Sequence, residues 1–207
     1  MTFEKLTKRN ARAFFELYVA RKAKALHELG EISEKTGGPK AAELDFSAES
    51  LVPIWIWARD RMPMVKENGP NDLMPPWYDF ELRLNPNNPN IRFSPEAADL
   101  IDKLAYYWGE TLIHNIQGTK WDIDPYPESF FYCRPVVRSE FLTQYPIRFI
   151  WGGGLAFFRD PKDPCVSGDS VFKALERIKN DEAEYRVEYE KAGGHVDPRV
   201  RKKVTFE

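Results

Sequence analysis

Between Ser94 and Gly118 the chain carries a complete helix signature: Ser as N-cap, Pro95 at the first helical position, Glu96 in the first turn and a glycine to stop it. Proline there forfeits only an N–H that a first turn leaves unpaired, and glycine takes the left-handed backbone that ends a helix. Within these bounds Leu100, Ile101, Leu104, Trp108, Leu112 and Ile116 recur at helical spacing, which predicts one helix to about Gln117. Before Ser94 the chain reads as helical. Residues 4–35 form an amphipathic stretch with Phe14, Leu17, Tyr18, Ala25, Leu29 and Ile32 on one side, stopped by Thr36-Gly37-Gly38-Pro39. A second helix runs from Ser47 or Ser50, as cap, through Leu51, Ile54, Trp55, Ala58 and Met62 to Pro63.

After Gly118 the pattern changes to β. Residues 119–124 alternate, 130–137 are apolar and β-branched, and Pro135 places part of that run at a sheet edge. Residues 147–151 and 155–158 flank Gly152-Gly153-Gly154, which reads as a hairpin or bulge between two strands. Residues 63–93 are a long Pro/Asn-rich connection in which Phe80–Leu84 alternates like a short strand. A charged helix over Ser170–Ala192, ended by Gly193-Gly194, completes the order. Helices first and strands afterwards indicate an α+β fold, with an antiparallel sheet of three to five strands packed against the second and third helices. The domain is expected to span residues 1–195, with helix 4–35 as a semi-independent extension and 196–207 as a basic tail.

At 207 residues one sizeable core is affordable, and 43% hydrophobic with 30% charged residues is ordinary globular usage. A net charge of −2 and a pI near 6.0 argue against a dedicated nucleic-acid binder. Basic residues nevertheless gather in 1–25 (Lys5, Lys8, Arg9, Arg12, Arg21, Lys22, Lys24) and in the tail, as a solvated face or a contact for an acidic partner. No apolar run is long enough for a transmembrane helix, and no secretory signal is read at the start. Two cysteines, Cys133 and Cys165, suit neither a disulfide framework nor a zinc site, so a cytoplasmic location is expected.

Chemistry-bearing positions are few. Glu110 and His114 are one turn apart on a helix and suit either a metal or proton exchange, or a structural pair. Asp122 and Asp124 alternate with apolar neighbours, placing two carboxylates on one strand face, where they suit Mg²⁺ with Glu128 as a third ligand, or plain solvent. Gly152-Gly153-Gly154 lacks the Lys-Ser/Thr of a phosphate loop. Cys133 beside Arg134 has no histidine base near it in sequence. No cofactor, catalytic residue or metal ligand is assigned. The surplus is in aromatics: six Trp, nine Tyr and fourteen Phe. Trp55 and Trp57 point about 200° apart on one helix, so either one of them is exposed or that helix is buried on several sides. Exposed aromatics are what protein interfaces favour, and Trp57, Trp77, Tyr78, Glu110, Asp122 and Asp124 are the expected partner-binding residues.

Two segments carry a resemblance. Leu44-Asp45, Ser47 and Ser50-Leu51, followed by Tyr107, Gly109, Glu110, Leu112, Gly118 and Trp121, resemble the pattern of small bacterial proteins built on a domain of unknown function. The likeness covers roughly residues 44–137. It implies a compact helix-plus-sheet domain of bacterial origin, and some such proteins look like immunity partners of bacterial toxins. The resulting expectation is a non-enzymatic cytoplasmic protein that binds a protein partner, of the toxin-immunity type. The alternatives are a metal-assisted hydrolase using Glu110, Asp122 and Asp124 with His114 as proton carrier, or an assembly accessory.

Overall fold

The structure, a computed structural model, describes residues 5–65, 75–77 and 92–193. Tyr78, the alternating segment 80–84 and the basic tail at 196–207 lie outside the described residues.

The Ser94 signature folds as its chemistry requires. Helix α3 spans Pro95–Asn115, and Ser94 Oγ accepts the Ala97 N–H at 3.2 Å. (Helix α1 is Ala11–Lys35 and α2 is Leu51–Arg59.) Every residue from Leu100 to Gly109 is buried, Asp102 and Lys103 included, so α3 is a central helix rather than a one-faced one. It packs against α1, against a later helix and against the sheet.

Helix α1 begins later than its amphipathic pattern. Asn10 turns its side chain back to accept the Thr7 N–H at 2.7 Å, and the chain before it is a turn. Its buried stripe is Ala11, Phe14, Tyr18, Ala25, Leu29 and Ser33, whereas Leu17 and Ile32 face outward. The end is a Schellman closure: Gly37 has φ 80°, and the Gly38 N–H reaches the Ser33 carbonyl at 2.8 Å. Helix α2 buries Leu51, Ile54, Trp55, Trp57 and Ala58. Both indoles are inside because α2 is covered on several sides.

The sheet is three-stranded and antiparallel, in the order β3 (Lys120–Ile123), β4 (Pro135–Arg138), β5 (Thr143–Gln144). Lys120 pairs with Arg138 and Ile123 with Pro135. A separate two-residue pair joins β1 (Met64–Val65) to β2 (Arg92–Phe93). Pro135 sits at the first position of the central strand, where its missing N–H is tolerated. The sheet lies against α1 and α3. No helix among the described residues is long and apolar enough to cross a membrane.

The triple glycine is not a β connection. Helix α4, Pro146–Arg159, runs straight through it, and α5, Ser170–Lys191, follows. Ile147, Ile150, Trp151, Gly154 and Leu155 are buried at helical spacing. A Cβ on Gly153 would lie 2.9 Å from the Trp55 ring, and one on Gly154 would lie 2.8 Å from Met62 Sδ. The close approach of the α2 region to α4 therefore favours glycine at both positions, more strictly against the rigid Trp55 ring than against the flexible Met62 side chain. The loss of helix propensity, about 1 kcal/mol per glycine, is outweighed by packing.

Gly152 has open space where its Cβ would be. Gly152→Ala is thus expected to raise stability by about 0.5–1 kcal/mol, while Gly153→Ala or Gly154→Ala lowers it by about 1–3 kcal/mol through overpacking. Urea denaturation of the three variants measures this; equal effects at all three positions would contradict the assignment.

Candidate functional site

Residues 44–51 and the segment from Tyr107 onward meet at α3. Tyr107 reaches the turn before α2, where a hydrogen-bond chain forms: the Phe46 N–H approaches Tyr107 Oη at 3.4 Å, Tyr107 Oη lies 2.5 Å from Ser50 Oγ, and Ser50 Oγ donates to the Ser47 carbonyl at 2.8 Å. Ser50 therefore spends its side chain on this chain instead of capping α2. Asp45 Oδ1 accepts the Ser47 N–H, Asn115 Nδ2 donates to the Phe46 carbonyl, and Phe46 takes a left-handed φ of 62°. Two residues along, Gly109 lets the Trp121 ring lie against the helix backbone; a Cβ there would sit 2.2 Å from Cζ2.

Glu110, left without a packing reason by the sequence, acquires one. Its Oε1 accepts the Trp121 indole N–H at 2.6 Å and the Lys22 ammonium at 2.9 Å. One carboxylate thus ties α1, α3 and β3 together. His114, a turn away, is exposed and turns to the Phe46 ring, 5.7 Å between centroids. Glu110 and His114 have separate partners.

Asp122 and Asp124 also part company. Strand β3 ends at Ile123, so Asp124 lies past it, only 1% exposed, with Oδ1 accepting the Tyr126 N–H at 3.1 Å. Asp122 stays at the surface; its Oδ1 accepts the Ile123 N–H, and Oδ2 stands 3.4 Å from Arg138 Nη1. Among the described residues, no group of three His, Cys, Asp or Glu side chains is placed to hold a metal. Trp57 and Trp77 are core residues, 5% and 0% exposed. Trp57 Nε1 donates to Thr36 Oγ1 at 3.1 Å. Trp77 Nε1 donates to Asp102 Oδ1 at 2.8 Å, and Arg21 Nη2 meets the other oxygen at 3.1 Å. Cys133 is buried, Cys165 exposed, and both are free thiols.

Sequence reasoning expected a strand over 130–137, and the structure corrects it: residues 124–134 are a loop and only 135–138 are strand. The loop neck is closed by Asp124 N–H to the Arg134 carbonyl (3.0 Å) and Cys133 N–H to the Asp124 carbonyl (2.9 Å). Inside it, Ser129 N–H donates to the Tyr126 carbonyl, Tyr132 N–H to the Ser129 carbonyl, and Phe131 N–H to Ser129 Oγ. Arg134 Nη1 clasps the Tyr132 carbonyl at 2.8 Å and the Phe130 carbonyl at 3.2 Å. Phe131 turns in against Tyr145, 4.2 Å between rings. Cys133 holds φ 66°, a left-handed conformation that costs a non-glycine residue about 1–3 kcal/mol. From this buttressed turn Phe130 projects outward, 73% exposed. Pro125 and Pro127 bracket a turn in the sequence, and the structure extends that turn through residues 128–134.

Chemically, the three acidic positions singled out by the sequence each hold a neighbour in place, and the loop presents an aromatic ring. Compared with known protein families, curated proteins and solved structures, the chain matches none.

Burial raises the Asp102 carboxyl above its ordinary value, opposed by Arg21 and the Trp77 N–H. A raised folded-state pKa means that the folded form binds the proton more tightly. That contribution is full below the unfolded value, about 3.9, and is lost as pH climbs through the folded one. Asp102→Asn keeps an acceptor for Trp77 and removes the titration. Its urea midpoint, relative to the unaltered chain, is expected to improve from pH 3.5 to pH 6, and a pH-independent difference would refute the assignment.

Proposed function

We propose that this chain is a non-enzymatic protein-binding protein of the bacterial immunity type, acting in the cytoplasm by neutralising a toxin partner. The observation that supports a binding role over hydrolysis is the fate of the carboxylates. Glu110 is engaged by Lys22 and Trp121, Asp122 by Arg138 and the Ile123 amide, and Asp124 by the Tyr126 amide. A hydrolytic Mg²⁺ site needs carboxylates converging on one ion with open positions for water and substrate. These three instead fasten different parts of the fold. The resemblance of residues 44–51 and 107–121 supplies the immunity assignment, and its motif residues read here as scaffold: Tyr107 fastens the 45–50 turn, and Gly109 and Glu110 seat Trp121.

The test is a triple variant, Glu110→Gln, Asp122→Asn and Asp124→Asn, which keeps the shape of each side chain. It is expected to stay folded, to bind the partner recovered with the unaltered chain within about threefold of its affinity, and to show the same melting temperature with and without Mg²⁺, Mn²⁺ or Zn²⁺. Stabilisation of the unaltered chain by one of these ions, abolished in the variant, would sink the proposal in favour of the metal hydrolase.

A further inference from the structure

We propose that Glu182 is a pH-sensitive clasp: its buried carboxyl fastens the C-terminal half of α5 to the turn between β4 and β5, and its ionisation loosens that half. The clasp is independent of the protein-binding reading above.

Val171, Leu175 and Ile178 form the buried stripe of α5, and Glu182 takes the next place in it, 4% exposed, where the helical period favours an apolar side chain. It lines a small cavity with Leu112 and Ile116 at the end of α3, Thr119 before β3, Val137 of β4 and Gln144 of β5, none of them charged. Beyond Glu182 no residue of α5 is buried. Arg186 and Tyr189 reach Phe141 of the β4–β5 turn instead, the guanidinium 5.6 Å from its ring centre and the Tyr189 ring 5.4 Å, centre to centre. The helix end and the turn are therefore joined at the place where Glu182 enters.

Ser139 organises that turn. Its N–H donates to the Leu142 carbonyl at 3.0 Å, and its Oγ accepts the N–H groups of Phe141 and Leu142 at 3.2 and 3.0 Å, which fills its lone pairs. The one hydroxyl hydrogen donates to Glu182 Oε2, 2.5 Å away. The Leu142 carbonyl, 3.4 Å from Ser139 Oγ, is the acceptor that takes this hydrogen when Glu182 departs, so the turn survives opening. Glu182 Oε1 has no hydrogen-bond donor among the described residues and stands 3.5 Å from the part-exposed Arg186 Nη2. A carboxylate in this seat loses hydration that one hydroxyl and one part-exposed guanidinium replace only in part. Glu140, exposed on the turn, opposes the charge further.

Burial raises the Glu182 carboxyl above its ordinary value, against the Ser139 hydrogen bond and Arg186. In the opened form the group is solvated and titrates in the ordinary range. Docking of the helix end is therefore tightest below the ordinary glutamate value, about 4.3, and weakens as pH rises through the docked one. Opening uncovers Phe141 and the apolar wall of the cavity.

Amide hydrogen exchange of the full chain, followed by NMR from pH 4 to pH 7 and corrected for intrinsic rates, tests the clasp. The comparison is Glu182→Gln, which keeps the shape and an acceptor for Ser139. In the unaltered chain the opening constant over residues 183–188 is expected to rise about fivefold or more, exceeding any rise over residues 171–178. In Glu182→Gln that excess is expected to vanish. An excess of equal size in the variant assigns the titration to another group and overturns the clasp, as does a flat profile in the unaltered chain. Should Glu182→Gln not fold, the carbon-13 titration of the Glu182 carboxyl in the unaltered chain decides. A midpoint above ordinary glutamate that tracks the exchange profile upholds the clasp, and one at or below it overturns it.

Discussion

Trp121 lies across the backbone of α3 at Gly109, closer than any side chain with a Cβ would permit. Its ring also meets Tyr18 of α1 and Tyr106 of α3, each 5.9 Å between centroids, and its N–H is fixed by Glu110. Since Trp121 belongs to β3, this one residue docks the sheet onto both long helices. The position of β3 sets that of β4 through their register, and the β3–β4 loop inherits its orientation from them. The presentation of Phe130 thus depends on a contact made on another part of the same hairpin.

The seam between α1 and α3 is more polar than the core around it. Besides Lys22–Glu110, it contains Arg21–Asp102, Lys103 between Asp99 and Glu28, and Tyr106 donating to the Tyr18 carbonyl. Burying Asp102 and Lys103 costs desolvation, which their partners offset only with good geometry. Replacing one partner alone leaves the other charge without its counter-ion, a cost concentrated at the buried Asp102 and Lys103 and smaller at the part-exposed Arg21 and Lys22. The seam's partners also fix how α1 slides along α3, because a shift by one turn would separate Lys22–Glu110, Arg21–Asp102 and Lys103–Glu28, leaving only the Asp99–Lys103 pair inside α3. Trp77 shares the arrangement through Asp102, its indole N–H donating to that carboxylate on the same helix.

Two stretches show where local pattern and tertiary context diverge. The triple glycine looks like a β connection because glycine is a poor helix former, yet the buried positions around it follow the helical period. The glycines are there to admit the Trp55 ring and Met62, neither of which is near in sequence. Residues 130–137 look like one strand by composition. Phe131 instead finds a ring partner in Tyr145, Arg134 finds carbonyls, and the strand shortens to its last four residues. In both cases a partner many residues away outbid the local preference. Trp57 on α2 and Trp77 before β2, two of the partner-binding positions expected from the sequence, are buried and have hydrogen-bond acceptors inside the protein, in Thr36 and Asp102.

By itself the sequence determined what depends on neighbours within a turn or so. These features are the Ser94-Pro95 start of α3, the glycine stops of α1 and α3, the helical stripe of α5, and the α+β class, although two helices follow the sheet, the first of them, α4, where strands were expected after Gly118. Such features arise from backbone sterics and the few unpaired amides at a helix end, which are encoded locally. Tertiary structure decided which polar groups are spent and which surface is left over. Whether Glu110 is a ligand or a strut depends on Lys22 and Trp121 arriving beside it. Of two adjacent phenylalanines, Phe131 lies against Tyr145 and Phe130 stays exposed, a division that depends on which ring is near in space rather than in sequence.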